Sequence, residues 1–463
     1  MKSVLSLFAA SAAVASAAST NPVCIVGAGP TGLTIANGLE NKGHSTVIFE
    51  KNSEAGGKCQ SYYDPSGQFH PMGALLFSNA TFTETLKVVL QTNMTYYPFG
   101  YAGTAQDWLF DWRTGVVTLA PGSSAQLYPF IKADIDRYIA FWNQNIQPIW
   151  ADIGYKTSIP HEYTVPFAQW LLKNNYKAEL VGLFETGMVP YGYGDVNETP
   201  AIYMFKYFTP DILLFFAGQH LGYLVDYNQV FLKYSQSSVK GKLHVSTNIT
   251  KIDRSGNYPI ITYTDTTTRS VTQKCSKIVL AFPPVMHALE AAHLDLSPEE
   301  SAVFSPIGTT QYWSGAVNVA TGNNAAFSAI AFEPAGQPSA FLPLFNSSSI
   351  ASSWSWGQYR GSQTVDEAKQ LLVSTISKFN KDPNNATALP RPITPEDVRD
   401  FKAWDYFPHY DTAQLNEGFY SKFNMLQGQK NTYYASGLNG FEMVEFAIRA
   451  GQDIVNTYFP KVI

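Results

Sequence analysis

The sequence runs to 463 residues, more than one ordinary core holds, so at least two domains are expected. Charged residues make up only 14%, aromatics also reach 14%, and the net charge is −5 with no basic run. That balance excludes nucleic-acid binding, which demands clustered Lys and Arg, and suits a large enzyme with an aromatic-lined interior.

The chain opens with Lys2, an apolar stretch from Val4 to Ala17, and the small residues Ala15-Ser16-Ala17-Ala18. A positive start, a short apolar run and a small-residue cut site predict a secretory signal peptide over residues 1–18, too short for a permanent membrane anchor. No transmembrane helix is expected further on, and the mature protein is expected to be secreted or in the secretory-pathway lumen. Asn-x-Ser/Thr sequons at Asn79, Asn93, Asn197, Asn248, Asn346 and Asn385 agree with that placement. Three cysteines, Cys24, Cys59 and Cys275, do not make a disulfide framework. Cys24, inside an apolar strand, reads as a buried inert thiol, and the fold as one held by its core.

Residues 22–50 read as strand, Gly-rich turn, helix, strand, with strands at Val23–Val26 and Thr46–Glu50. The turn is Gly27-Ala28-Gly29-Pro30-Thr31-Gly32, which sets three glycines at the G-x-G-x-x-G spacing. Gly27 turns the chain, Gly29 leaves backbone bare for a pyrophosphate, and Gly32 lets the helix approach the strand. The helix N-terminus then offers N–H groups and a positive dipole end to phosphate. Glu50 follows 18 residues after Gly32, with Lys51 beside it, and its carboxylate can accept both hydroxyls of an unphosphorylated ribose such as that of FAD or NAD. Gly56-Gly57-Lys58 offers backbone to a second part of a long cofactor, which favours FAD.

From about 80 to 220 the chain is aromatic-rich with helical periodicity, as at Phe167–Leu172. Short β-branched strands return at 244–247, 260–263 and 277–280. A helix is predicted near 366–379, a last strand at 433–436, and a closing helix from about Glu442 to Tyr458. No second Gly-rich strand–turn–helix for NAD(P)H follows, since Gly192-Tyr193-Gly194 lacks the spacing. No residue spacing suggests a metal site or a serine-hydrolase elbow.

Gly27–Gly32, Glu50 and Gly56-Gly57-Lys58 resemble the flavin-containing amine oxidase superfamily, with its phytoene desaturase and protoporphyrinogen oxidase relatives. Further matches span the chain. Phe69–Ala74 resembles the segment that passes the isoalloxazine ring, which implicates Gly73 and Ala74, and Asn248–Ile252 the strand that meets adenine at Ile249. Ile278–Pro284 resembles the returning strand and proline turn. Gly437 with Glu442-Met443-Val444-Glu445 resembles the closing flavin motif, whose helix would aim its positive end at the flavin's pyrimidine edge. The resemblance implies an α/β fold, α+β overall, with a Rossmann-type FAD-binding domain (19–80, 221–300 and 405–463) interleaved with an aromatic-rich substrate domain (81–220 and 301–404).

The departures bear on function. Tyr312 stands near the place of the amine oxidase lysine, Met443 where an aromatic cage wall is common, and Leu438 where an acidic residue usually follows the glycine. No cysteine lies near that loop, so the FAD is expected to be non-covalent. These features are similar to those of the beta-cyclopiazonate dehydrogenase and polyenoic fatty acid isomerase branch. They imply hydride removal from a carbon of a large apolar small-molecule substrate to flavin N5, with oxygen or another electron acceptor completing the cycle. A redox-neutral isomerase of polyunsaturated fatty acids and a non-catalytic escort-type binding protein are the alternatives. His409 is a candidate for proton transfer; Tyr312, Trp404 and Tyr406 are candidate pocket walls, and His70 lies near the flavin segment. The oligomeric state is left open.

Overall fold

The computed structural model describes residues 21–100, 106–264, 269–322, 325–332 and 335–462. The signal-peptide expectation therefore lies outside the described residues.

The apolar run Val23–Val26 is buried at every position and forms the middle of a five-stranded sheet. A strand buried on both faces is what such an unbroken run predicts for a parallel sheet. The order across it is 242–244, 46–49, 23–26, 277–280 and 432–434, and every pairing is parallel. The chain thus returns to one sheet from its beginning, middle and end. Helices Pro30–Asn41 and Val444–Tyr458 pack on each other, and Lys42 Nζ ties them by donating to the carbonyls of Val455 and Phe459.

Two cysteines are joined here, contrary to the expectation of an inert thiol. Cys24 and Cys275, both fully buried, form a disulfide with Cα atoms 5.6 Å apart. Strands 23–26 and 277–280 are parallel and in register from Val23 and Lys277. Just before that register begins, Ser276 N–H donates to the Pro22 carbonyl, which brings Cys275 alongside the start of strand 23–26, although the two cysteines are 251 positions apart in sequence. Cys59 is the remaining, buried cysteine.

A three-stranded antiparallel sheet, 248–253, 260–264 and 270–274, flanks the parallel one. It is bolted on by Arg254, fully buried, which forks onto Glu300 at 2.6 and 2.7 Å and reaches Asp295 at 2.6 Å. Tyr434 Oη, from the last strand, donates to Glu300 at 2.5 Å and closes the network.

The second body contains a seven-stranded sheet in the order 398–409, 308–318, 350–359, 338–342, 325–329, 106–110 and 117–119. The domain limit expected at 404/405 falls inside strand Val398–His409. Helices from Ser124 to Phe216 form the other half of this body. Their aromatic faces meet one another, with Phe205 against Phe141, Tyr163, Phe167 and Trp170. The polar tips of Tyr138, Trp142 and Trp150 donate to carbonyls of Phe208, Phe205 and Lys206, so their burial leaves no orphan donor. Among the described residues no helix is long and apolar enough to cross a membrane.

Candidate active site

Four separated segments meet where the two bodies join. Gly29 precedes the first helix with ordinary extended backbone, and the loop carrying Gly57 lies against it. A methyl group added at Gly57 would stand 2.9 Å from the Gly29 Cα, and Gly57 is left-handed at φ +58°. The two glycines therefore let two bare backbones approach at the N-terminus of helix Pro30–Asn41. The next residue, Lys58, places its carbonyl against Gly73, leaving no room there for a side chain.

Beyond Gly73 the flavin-type segment is pinned at Met72. Its N–H donates to the Gln60 carbonyl at 2.8 Å, and its carbonyl accepts from Ser314 Oγ at 2.5 Å and Trp404 Nε1 at 3.0 Å. His70 is fully buried beside Asp64 and Ser348, whose hydroxyl donates to Asp64 at 2.6 Å. Burial holds His70 below the ordinary histidine range. Its Nε2 faces Asp64 and Ser348 and ties strand Phe69–Pro71 to them, while Nδ1 is buried without a partner.

At the ribose end Glu50 is buried, and its two carboxylate oxygens accept from the backbone N–H groups of Ala28 and Asn52, each at 2.8 Å. Each oxygen keeps lone-pair capacity for a further donor. The 246–249 chain is drawn alongside, because Ser246 N–H donates to the Asn52 carbonyl and Thr247 N–H to that of Glu50. Ile249, 8% exposed, lies in that chain, whereas Lys51 projects into solvent. Pro30 and Thr31 open the first helix, with Thr31 and Gly32 buried and Ala74 partly covered.

The closing motif completes the cradle. Met443 caps helix Val444–Tyr458, whose second residue, Glu445, is fully buried. The Glu445 carboxylate accepts from the N–H groups of Glu84 and Thr85, capping helix Thr83–Gln91, and from Arg449. Leu438 points into the core and is fully buried. The carboxylate that reaches Gly437 comes instead from Glu442, whose Oε2 occupies the space a side chain at 437 would fill. Glu442 Oε1 pairs with Lys58 Nζ at 3.0 Å, linking the closing motif to the second glycine loop.

The candidate wall residues come together. Strands 308–318 and 398–409 set Tyr312 opposite Trp404 and Thr310 opposite Tyr406. The Tyr312 and Tyr406 rings lie 4.9 Å apart, and Tyr193 packs on Tyr406 at 5.6 Å. Their polar ends turn onto the protein. Tyr312 donates to the Pro190 carbonyl at 2.7 Å, Tyr193 to the Glu442 carbonyl at 3.0 Å, and Tyr406 to Tyr193 at 3.4 Å. Burial raises all three phenols well above the ordinary tyrosine range, so none serves as a base near neutrality.

His409 lies one layer behind, stacked on Phe407 at 4.2 Å, against Tyr203 and Tyr359, and 3% exposed. Its Nδ1 faces the Phe407 carbonyl at 2.7 Å, and burial pushes it down to about 4, so it is a neutral packing residue at pH 7. The residues that sequence reading missed are Tyr193 and Glu442. The glycine before the first, Gly192, was the legible signal: it is left-handed at φ +81°, and a side chain there would run into the Tyr312 and Tyr406 rings.

The cradle fits FAD. Bare backbone at Gly29 and Gly57 suits the pyrophosphate, Glu50 the ribose, and the unpartnered buried Glu442 Oε2 a further donor. The Met72–Gly73 segment and the helix start after Met443 are the two segments that the resemblance puts at the ring. Among the described residues no His, Cys, Asp and Glu group could hold a metal.

A family profile described as NAD(P)-binding Rossmann-like domain matches residues 25–91. The FAD-dependent oxidoreductase dpasF of Apiospora sacchari is 24% identical over 89% of this chain and 87% of its own length. Beta-cyclopiazonate dehydrogenase of Aspergillus flavus is 23% identical over 64% of this chain and 62% of its own. Among solved structures, the CLA-producing fatty acid isomerase from P. acnes shares the fold at TM-score 0.79 and 21% identity, over 96% of this chain and 100% of its own. Putrescine oxidase does so at 0.64 and 15%, over 94% and 98%. A dinucleotide fold with a two-part cofactor cradle beside a cluster of aromatic rings is thereby defined. The chain is an FAD-dependent oxidoreductase, with a fold it shares with solved amine oxidases.

Proposed function

We propose that the protein takes hydride from a carbon of a large apolar organic substrate, in the secretory pathway or outside the cell. The carrying observation is the wall formed by Tyr193, Tyr312, Tyr406 and Trp404. Each polar tip is bonded to another group of the protein, so the rings offer their apolar faces. Bound FAD would supply the two-electron acceptor. The chain's own residues orient the cofactor and exclude water, and the rings give an apolar substrate carbon surface to pack on.

Support for the compartment is separate. A buried disulfide suits an oxidising environment, and all six sequon asparagines are exposed. N-terminal sequencing of protein from a eukaryotic host should begin near Ala18 or Ser19, with a mass loss on glycosidase treatment. An intact Met1 and no mass change would sink this part.

The test of the reaction is anaerobic mixing of the flavin-loaded protein with amines, indole-type metabolites and polyunsaturated fatty acids. Bleaching by an apolar compound, and none by small amines, is expected; the reverse would refute the reading. The fold likeness to a fatty acid isomerase supports a second reading, in which hydride returns to another carbon of the same substrate. Product formation without net oxygen uptake would select it. A colourless protein that cannot be loaded with flavin would instead favour the escort-type reading.

A further inference from the structure

Glu442 carries a carboxylate oxygen that nothing in the protein satisfies. Oε2 is buried and unpartnered, while Oε1 is held by Lys58 Nζ at 3.0 Å. A carboxylate accepts hydrogen bonds and donates none, so a buried lone oxygen of this kind marks the place of an outside donor. Its position narrows what that donor is. Lys58 directly follows Gly57, at the pyrophosphate end of the cradle, and its carbonyl touches Gly73, at the ring end. Glu442 directly precedes Met443, which caps the closing helix, and Oε2 lies against Gly437. The Lys58–Glu442 pair therefore stands between the phosphate-binding and ring-binding parts of the site. In FAD the stretch joining pyrophosphate to ring is an uncharged chain of hydroxyls, the hydrogen-bond donors that lie between those two ends of the molecule. An aromatic or apolar substrate group would leave Oε2 unpaired.

We infer that Glu442 is the acceptor for the polyol hydroxyls of FAD, held in place by Lys58. This rests on the FAD reading above and assigns a role that Leu438, buried in the core, cannot fill. The pair keeps the site neutral, so that the phosphates are met by backbone N–H groups and the hydroxyls by carboxylate. Removing the negative charge while keeping the shape should weaken the cofactor's middle and leave its nucleotide half intact.

The experiment compares wild type with Glu442→Gln and Glu442→Leu after the flavin is stripped. Each apoprotein is titrated with FAD, followed by flavin fluorescence, and with ADP, which carries adenine, ribose and pyrophosphate but no polyol. A charge-assisted hydrogen bond lost here should weaken FAD about 10- to 100-fold, with ADP affinity unchanged within about twofold. The glutamine variant keeps the volume of the side chain, so ADP binding at wild-type strength also certifies its fold. Equal FAD affinity in wild type and both variants overturns the inference. So does parallel loss of FAD and ADP, which would make Glu442 a purely structural residue. Wild-type apoprotein that binds ADP but no FAD would instead overturn the cofactor reading on which the inference stands.

Discussion

Replacing Gly29 by alanine should remove the cofactor without harming the fold. In the protein alone, a methyl group there meets nothing nearer than the Gly57 Cα at 3.6 Å, an ordinary contact, and the backbone is not left-handed. The apoprotein should therefore keep its stability within about 0.5 kcal/mol, the range of unremarkable substitutions. Against bound pyrophosphate the same methyl group has no such space, because the glycine is what lets phosphate reach the backbone. Forcing one extra methyl into a closed contact costs about 1–3 kcal/mol, and the upper part of that range corresponds to roughly 100-fold in affinity. Wild type at an FAD concentration of 100 times its Kd should gain about 2.7 kcal/mol, and a variant weakened 100-fold only about 0.4 kcal/mol. Urea unfolding of both proteins, with and without FAD, measures all four quantities. Gly57→Ala is the contrasting case. Its left-handed backbone and the 2.9 Å approach to the Gly29 Cα should destabilise even the apoprotein, by about 1–2 kcal/mol from backbone strain alone. Equal stabilisation of wild type and Gly29→Ala by FAD, or apoprotein unfolding caused by Gly29→Ala, would refute the reasoning.

The Cys24–Cys275 bond closes a span of 251 positions; Cys24→Ser with Cys275→Ser should cost about 3–5 kcal/mol of stability, read as a lower urea midpoint. Lys206, 2% exposed, donates to the carbonyls of Trp150 and Asp152 and is pushed down to about 7 by burial. The unfolded chain then holds a proton that the folded chain releases, so stability should rise from pH 7 towards pH 10. The slope from this group is at most about 1.4 kcal/mol per pH unit, and Lys206→Met should flatten the urea midpoints across that window. With Tyr312 rather than a lysine beside the site, its hydroxyl tied to Pro190, flavin bleached by substrate should recover its colour slowly in air. Rapid recovery with stoichiometric peroxide in a stopped-flow trace would restore a simple oxidase.

What the sequence discloses is what lies close together along it. Strand 23–26, the glycine turn and strand 46–49 form one local unit, so their period and spacing are legible without the rest of the molecule. Tyr312, Trp404 and Tyr406 were legible as wall residues, yet their contact depends on register between two long strands, which no local signal sets. The disulfide was invisible for the same reason, since only the parallel alignment of two distant strands puts the cysteines together. His409 misled because a histidine beside a turn carries no mark of burial; Phe407, Tyr203 and Tyr359 enclose it from three separate segments. Glu442 was read as a helix start. Its second role, reaching Lys58 from across the cradle, arises from tertiary packing alone.

The strand order of the nucleotide-binding sheet has a consequence for biosynthesis. Its first two strands end by residue 49, but the strand at its far edge is residues 432–434, and the helix that packs on the first helix ends at Tyr458. At about 5–20 residues per second, the early half waits some 20–80 s for its partners to leave the ribosome. Cys24 spends much of that interval as a free thiol, open to wrong pairing with Cys59 before Cys275 emerges. The flavin cradle closes only when nearly the whole chain is out, so a nascent chain stalled before residue 430 should capture no flavin at all.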